Sequence, residues 1–143
     1  MSNIIEGKPQ SKLSRVQASA DASGREVLLR EDWVNVARKV LIKEGIAAVK
    51  IDRLAKEKNV TRGGFYWRFK SHAELLTLLV KDWRENNGRT TLIALSGPGT
   101  PVERFRKLMD VWLDEIGYSP AYDLAMREWA RTSPKVARAV REV

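Results

Sequence analysis

Apolar residues recur along most of this chain with the spacing of amphipathic helices, and no stretch predicts a convincing strand. In the first clear case they occupy positions i, i+4, i+7 and i+8: Trp33, Ala37, Val40 and Leu41. These residues share one helix face. Acidic Glu31 and Asp32 lie near the start of this helix, where the backbone carries partial positive charge, and Gly45 is expected to end it. The pattern therefore indicates an all-α protein.

Two shorter helices are predicted next. The first covers about 51–58, with its apolar residues on one face and basic residues around it. After a turn at 59–60, the hydroxyl of Thr61 is expected to cap a third helix that runs to about Phe69. Three helices thus follow one another within residues 28–72.

Capping sequences mark the remaining helices. Ser71-His72-Ala73-Glu74 and Thr100-Pro101-Val102-Glu103 are capping boxes, in which the first hydroxyl and the last carboxylate reciprocally satisfy free amides. Ser-Pro pairs at 119–120 and 133–134 repeat the start signal. The predicted helices run over 72–87 with a stop at Gly88, over 101–117, over 120–131, and from 134 to Val143. Residues 88–99 are loop-like, and a helical extension at 92–95 is left open.

The net charge of +8 is concentrated in one block of the chain. Residues 28–72 carry eleven basic and five acidic side chains, a net +6, whereas residues 1–27 and 73–143 carry +1 each. Such a block is typical of a surface that binds a phosphate backbone, although a solvated basic face would look the same. The mixed, aperiodic composition of residues 1–27 predicts a flexible or marginally helical tail.

Composition excludes several classes of protein. The chain has no cysteine, so disulfides, thiolate metal sites and a cysteine nucleophile are ruled out. The apolar stretches are too short to span a bilayer, and the N-terminus lacks the apolar core of a signal peptide. We therefore expect a cytoplasmic protein with no membrane partner, no cofactor and no metal.

The segment Val60 to Lys70, VTRGGFYWRFK, carries the strongest functional signal. Helical spacing places Phe65 and Phe69 together facing inward, while Gly63, Tyr66 and Trp67 project from the opposite side. Large exposed aromatics beside basic groups need a partner, and a DNA duplex provides one. Tyr and Trp can donate hydrogen bonds to phosphate oxygens, and Arg can read guanine edges.

The run from Trp33 to Leu76, and above all VTRGGFYWRFKSHAELL, resembles the helix-turn-helix head of the TetR family of repressors. The stretch Met126 to Ala130 resembles the family's ligand-sensing half more weakly. The resemblance implies a DNA-binding domain at 28–72 followed by a helical regulatory domain at 73–143. It also implies a repressor that an effector releases from double-stranded DNA.

Carried over by position, the resemblance implies nine DNA-contacting residues. Those at the front of the third helix would meet base edges: Arg62, Gly63 and Gly64, with Thr61 beside them. Those expected to hold phosphates are Tyr66, Trp67 and Lys70. Lys50 stands where the family usually has a capping Ser or Thr, so it could keep a phosphate contact but not the cap. His72 replaces the usual Lys, so its contact would depend on pH.

The second half supplies candidates for an effector pocket between helices: Trp83, Phe105, Met109, Trp112, Tyr122, Met126 and Trp129. Plain core packing explains the same residues. The family usually continues into two further long helices that form the four-helix bundle of a homodimer, and these are missing here. We therefore expect a regulatory half truncated at its C-terminus and weak or rearranged dimerisation.

Two other classes of function explain the sequence less well. The sequence does not support an enzymatic function, since it contains no nucleophile–base pair, phosphate loop or metalloprotease motif. The lone His72 has no companions for a metal site. A helical adaptor that does not bind DNA would explain the capped helices, but not the charge confined to residues 28–72 or the exposed aromatic pair. A DNA-binding module without ligand sensing is the other alternative.

Overall fold

The computed structural model describes residues 29–115 and 117–143, so the predicted tail at 1–27 lies outside the described residues. Within them the protein is all-α and contains no strand, as predicted. The helices are α1 Arg30–Glu44, α2 Ile51–Glu57, α3 Arg62–Tyr66, α4 His72–Trp83, α5 Arg89–Ser96, α6 Pro101–Asp114, α7 Pro120–Ala130 and α8 Pro134–Arg141. A 3-10 turn at Ile46–Ala48 links α1 to α2, and a π-helical segment at Arg84–Gly88 joins α4 to α5.

Aromatic packing forms the centre of the first three helices. Trp33 on α1 is fully buried and meets the ring of Phe65 edge-on, at 5.3 Å between ring centroids. Phe65 in turn stacks on Phe69 at 4.8 Å. Gly45 ends α1 as predicted, because its φ of 88° breaks the helical path while its N–H still donates to the carbonyl of Leu41.

Helix α3 is shorter than predicted and lacks the expected cap. It ends at Tyr66, and the side chain of Thr61 accepts no backbone hydrogen bond. Two successive glycines have low helix propensity, and the chain after Tyr66 turns to bring Phe69 inward. The N–H groups of Arg68 and Phe69 both donate to the carbonyl of Phe65, which closes that turn.

The predicted stop at Gly88 is wrong. Gly88 has ordinary right-handed helical geometry, and the chain continues from α4 through the π-helical segment into α5. The wider turn is accompanied by the burial of Asn87, whose side-chain amide pairs with the backbone of Ser119. Nδ2 donates to the Ser119 carbonyl at 2.8 Å, and Oδ1 accepts from the Ser119 N–H at 3.0 Å.

The other capping predictions succeed in most details. The Thr100–Glu103 box is complete, and Ser119 and Ser133 cap α7 and α8 with Pro at the first helical position. Helix α6 stops at Asp114, earlier than predicted, because Glu115 already adopts a left-handed φ of 54°. The Ser71 hydroxyl accepts from the N–H of Glu74 as expected, but the Glu74 carboxylate bonds elsewhere.

A partly buried polar network joins α1, α4 and α7. Asp82 on α4 accepts from Arg38 on α1 through Nε at 2.9 Å and Nη2 at 2.8 Å. Tyr122 on α7 places its hydroxyl 3.0 Å from both the Asp82 carboxylate and the Leu79 carbonyl. The three helices that carry these side chains also share one hydrophobic core, so the head packs directly on the second half. None of the described helices has the length and apolarity needed to cross a membrane.

Candidate nucleic-acid interface

Helices α2 and α3 are joined by a tight turn that sets the direction of α3. Asn59 adopts a left-handed φ of 52°, a conformation that Asn tolerates better than most residues. The N–H of Val60 then donates to the carbonyl of Ala55 at 3.0 Å. Two short helices with a tight turn, packed behind α1, form a helix-turn-helix.

The two faces of α3 and the turn after it differ sharply in burial. Phe65 and Phe69 are 0% and 2% exposed, whereas Tyr66 and Trp67 are 49% and 84% exposed. The predicted inward orientation of the two phenylalanines is therefore confirmed, as is the outward orientation of the aromatic pair. Most of the apolar surface of the Trp67 indole remains in water, so its packing contributes little to the stability of the fold.

The two glycines of α3 occupy different environments. Gly63 is exposed, and a methyl group there would approach only the Thr61 hydroxyl, at 3.8 Å. Gly64 is half-buried, and a methyl group there would lie 3.9 Å from the ring of Trp33. The structure thus leaves Gly63 on the open face and turns Gly64 toward the helix behind it.

Arg62 is held in place by two neighbours on this face. Its Nη1 donates to both carboxylate oxygens of Asp52 on α2, at 3.1 and 3.0 Å, and its Nη2 lies 3.4 Å from the Tyr66 hydroxyl. The hydrogen bond to Tyr66 and the charge of Asp52 raise the pKa of Arg62. The role of Asp52 was missed from sequence, because ten residues separate the two partners.

Exposed lysines flank the recognition face. Lys50 precedes the first turn of α2 and makes no side-chain cap, in agreement with the sequence prediction. Lys70 is exposed in the turn before α4, and its backbone N–H donates to the Glu74 carboxylate at 2.7 Å. Thr61 is also exposed at the start of α3. These positions are compatible with phosphate contacts at both ends of the face.

Arg30 fixes the turn that carries Lys70. Its Nη1 donates to the carbonyl of Arg68 at 2.9 Å, its Nη2 donates to Glu74 at 2.7 Å, and its guanidinium lies 4.8 Å from the ring centroid of Phe69. The N–H of Lys70 and the guanidinium of Arg30 lower the pKa of Glu74. This clamp was also missed from sequence, since it joins positions about forty residues apart.

His72 is tied to the backbone of the head. Its Nε2 donates to the carbonyl of Val49 at 2.7 Å, and the ring is half-buried. This hydrogen bond connects the start of α4 to the segment before α2. A contact between His72 and phosphate stays a prediction, and the structure gives the ring a structural partner as well.

The seven candidates for an effector pocket fall into different environments. Four lie in the shared core: Trp83, Tyr122, Met126 and Trp129. Phe105 and Trp112 on α6 are exposed, and Met109 is half-buried between them. Their role in binding an effector stays a prediction. Across residues 29–115 and 117–143, no three His, Asp or Glu side chains come together to hold a metal ion.

Comparison with known proteins agrees with this geometry. The fold and the exposed face of α3 define a helix-turn-helix protein. Residues 34–79 match the family described as bacterial regulatory proteins, tetR family, so the chain is similar to that family over this segment. It is 27% identical over 81 residues to the HTH-type transcriptional regulator AcrR of Shigella flexneri. That alignment covers 56% of this chain and 38% of the length of the relative. No solved structure matches the chain significantly.

Proposed function

We propose that this chain binds specific double-stranded DNA through the exposed face of α3 and regulates transcription. The observation that carries the proposal is the exposure of Tyr66 and Trp67 beside Arg62, on α3 and the turn after it, while Phe65 and Phe69 on the opposite side are buried. A short helix held from behind can enter the major groove without rearranging. The duplex would supply a contact surface for the Trp67 indole, which is 84% exposed in the chain.

The exposed residues divide into two roles. Arg62 and the backbone around Gly63 lie at the front of α3, where a helix entering the groove meets base edges. The Tyr66 hydroxyl, the Trp67 indole N–H and the ammonium groups of Lys50 and Lys70 would hold phosphates, as the exposed Thr61 hydroxyl could do. The half-buried Gly64 follows Gly63 in the same helical turn, and its backbone would belong to the same base-facing front.

We propose further that residues 28–72 form the DNA-reading domain and residues 73–143 the regulatory domain of a repressor. An effector bound among the helices of the second half would release the DNA, since α1 packs directly on α4 and α7. In a homodimer, two recognition helices must match the spacing of two half-sites, so a small reorientation is enough to prevent simultaneous binding. Such a regulator would act in the cytoplasm without a catalytic step.

Titration of duplex DNA tests the proposal. A labelled mixed-sequence duplex, followed by fluorescence anisotropy at about 50 and about 200 mM salt, should bind with a steep salt dependence. Trp67→Ala should weaken binding strongly, whereas Leu124→Ala, which removes an exposed apolar side chain from α7, should not. Absence of salt-dependent binding by the wild-type chain would favour a helical adaptor.

Alanine substitutions of Arg62 and Lys70 should impair DNA binding in different ways. Arg62→Ala should remove about 1 to 3 kcal/mol of affinity for a preferred duplex and relax selectivity at one base pair. Lys70→Ala should weaken all duplexes alike and make the log-log salt slope shallower by about one unit. Lys107 is exposed on α6, so Lys107→Ala serves as the control for loss of a lysine charge. Equal loss of specific and nonspecific affinity in Arg62→Ala would make Arg62 another phosphate contact.

A further inference from the structure

An acidic side chain lies within the proposed DNA-binding face. Asp52, in the first turn of α2, is exposed, and it accepts two hydrogen bonds from Nη1 of Arg62. A carboxylate beside a phosphate backbone repels it, so Asp52 should weaken binding to any duplex. Its place in the first turn of a helix accounts for an acidic residue there, but not for its alignment with the guanidinium of Arg62.

The alignment restricts the orientation of Arg62. Both oxygens of Asp52 engage Nη1, while Nη2 points toward the Tyr66 hydroxyl at 3.4 Å. A free arginine samples many rotamers. Fixing one of them on binding costs conformational entropy, which lowers the affinity that the contact contributes. With Nη1 anchored, the edge formed by Nε and Nη2 can still present two parallel N–H groups. Recognition of guanine O6 and N7 requires such a pair.

We propose that Asp52 is a positioning residue that orients Arg62 for guanine and thereby sets base selectivity, at the expense of general affinity for DNA. This inference rests on the proposed DNA-binding function. It predicts that loss of the Asp52 charge changes two quantities in opposite directions. Affinity for unrelated duplexes should rise, because a repulsive charge is gone. Discrimination at the base pair read by Arg62 should fall, because the guanidinium is no longer oriented.

The test begins with selection of preferred sequences from a random duplex pool by the wild-type chain. Affinities for the selected duplex and for its single-base variants are then measured for wild type, Asp52→Asn, Arg62→Ala and the double variant. We expect Asp52→Asn to reduce discrimination at one base pair by about fivefold or more. In the Arg62→Ala background the same change should have no effect on discrimination, since no guanidinium remains to be oriented.

Asp123→Asn is the matched control. Asp123 also lies in the first turn of a helix and pairs with an arginine, Arg127, but it does so on α7. It should leave base discrimination unchanged. If Asp52→Asn destabilises α2, Asp52→Ser keeps a short polar side chain in the first helical turn. Thermal melts of both variants identify any loss of folding.

The outcomes separate the two proposals. Failure of the wild-type chain to bind any duplex would reject the DNA-binding function itself. If the wild-type chain binds and Asp52→Asn raises affinity for all duplexes with discrimination intact, Asp52 only repels phosphate and the positioning role is wrong. The same conclusion follows if discrimination falls equally with and without Arg62.

Discussion

Tyr122→Phe tests the network that joins the head to the second half. The substitution keeps the buried ring and removes only the hydroxyl, which lies 3.0 Å from the Asp82 carboxylate and from the Leu79 carbonyl. One hydroxyl carries one proton, so the loss counts as a single hydrogen bond to a charged acceptor. Bonds of this kind contribute about 1.5 to 3 kcal/mol. Asp82 keeps both bonds from Arg38, so we expect a loss near the lower end, about 2 kcal/mol.

Denaturant unfolding monitored by circular dichroism should show this loss as a lower midpoint with an unchanged m-value. For a chain of this size it corresponds to a fall in Tm of about 6 °C. Tyr66→Phe removes the same atom from an exposed ring and should change the free energy of unfolding by less than about 0.5 kcal/mol. Equal stabilities of Tyr122→Phe and Tyr66→Phe would refute the assigned contribution of the network.

The same residue predicts a dependence on alkaline pH. Burial, followed by the charge of Asp82, raises the pKa of Tyr122 above its ordinary value of 10.0. The folded protein therefore keeps the proton at a pH where the unfolded chain releases it. This contribution is complete below about pH 10 and is lost as the pH rises further, by up to about 1.4 kcal/mol per unit. Tyr122→Phe should remove that part of the slope, and a slope unchanged by the substitution would contradict the argument.

Two other substitutions test the features that sequence missed. Glu74→Gln should weaken binding to all duplexes by loosening the turn that carries Lys70. The pKa of Glu74 is lowered in the folded state, so its charged form stabilises the fold. Wild type should therefore be more stable than this variant at pH 7. Thermal melts at about pH 3.5 should show a smaller difference, because the carboxylate becomes protonated as the pH falls. Asn87→Ala should lower the free energy of unfolding by about 2 kcal/mol, because it leaves two backbone groups of Ser119 without partners. Asn86→Ala removes exposed hydrogen bonds to the carbonyl and carboxylate of Asp82, so it should have a smaller effect in the same denaturation assay.

Local signals were sufficient for most helix starts and for the orientation of the recognition face. Gly45 ends α1 and the Thr100–Glu103 box starts α6, because both signals act within one helical turn. The spacing of Phe65 and Phe69 likewise predicted their burial. These features depend on residues close together in sequence.

The features that were missed depend on distant partners. Gly88 was predicted to end a helix, but the helical path continues through it. The side chain of the preceding Asn87 bonds to the backbone of Ser119, 32 residues away. The ion pairs of Arg30 with Glu74 and of Arg62 with Asp52 also join residues far apart in sequence. Spacing along one helix carries no information about such pairs, so their effects on the DNA-binding face required the fold.

The packing of α3 constrains how an effector signal could reach DNA. A five-residue helix is not stable alone, so α3 keeps its orientation because Phe65 packs on Trp33 and Phe69 lies under Arg30. Helix α1 carries both Trp33 and Arg38, and Arg38 reaches the α4–α7 network. We therefore expect α1 and α3 to move as one rigid body. If so, hydrogen exchange in α3 should stay unchanged when the network is weakened by Tyr122→Phe, while exchange at the α1–α7 contact increases. Faster exchange in α3 itself would show that the reading helix loosens instead of moving as a unit.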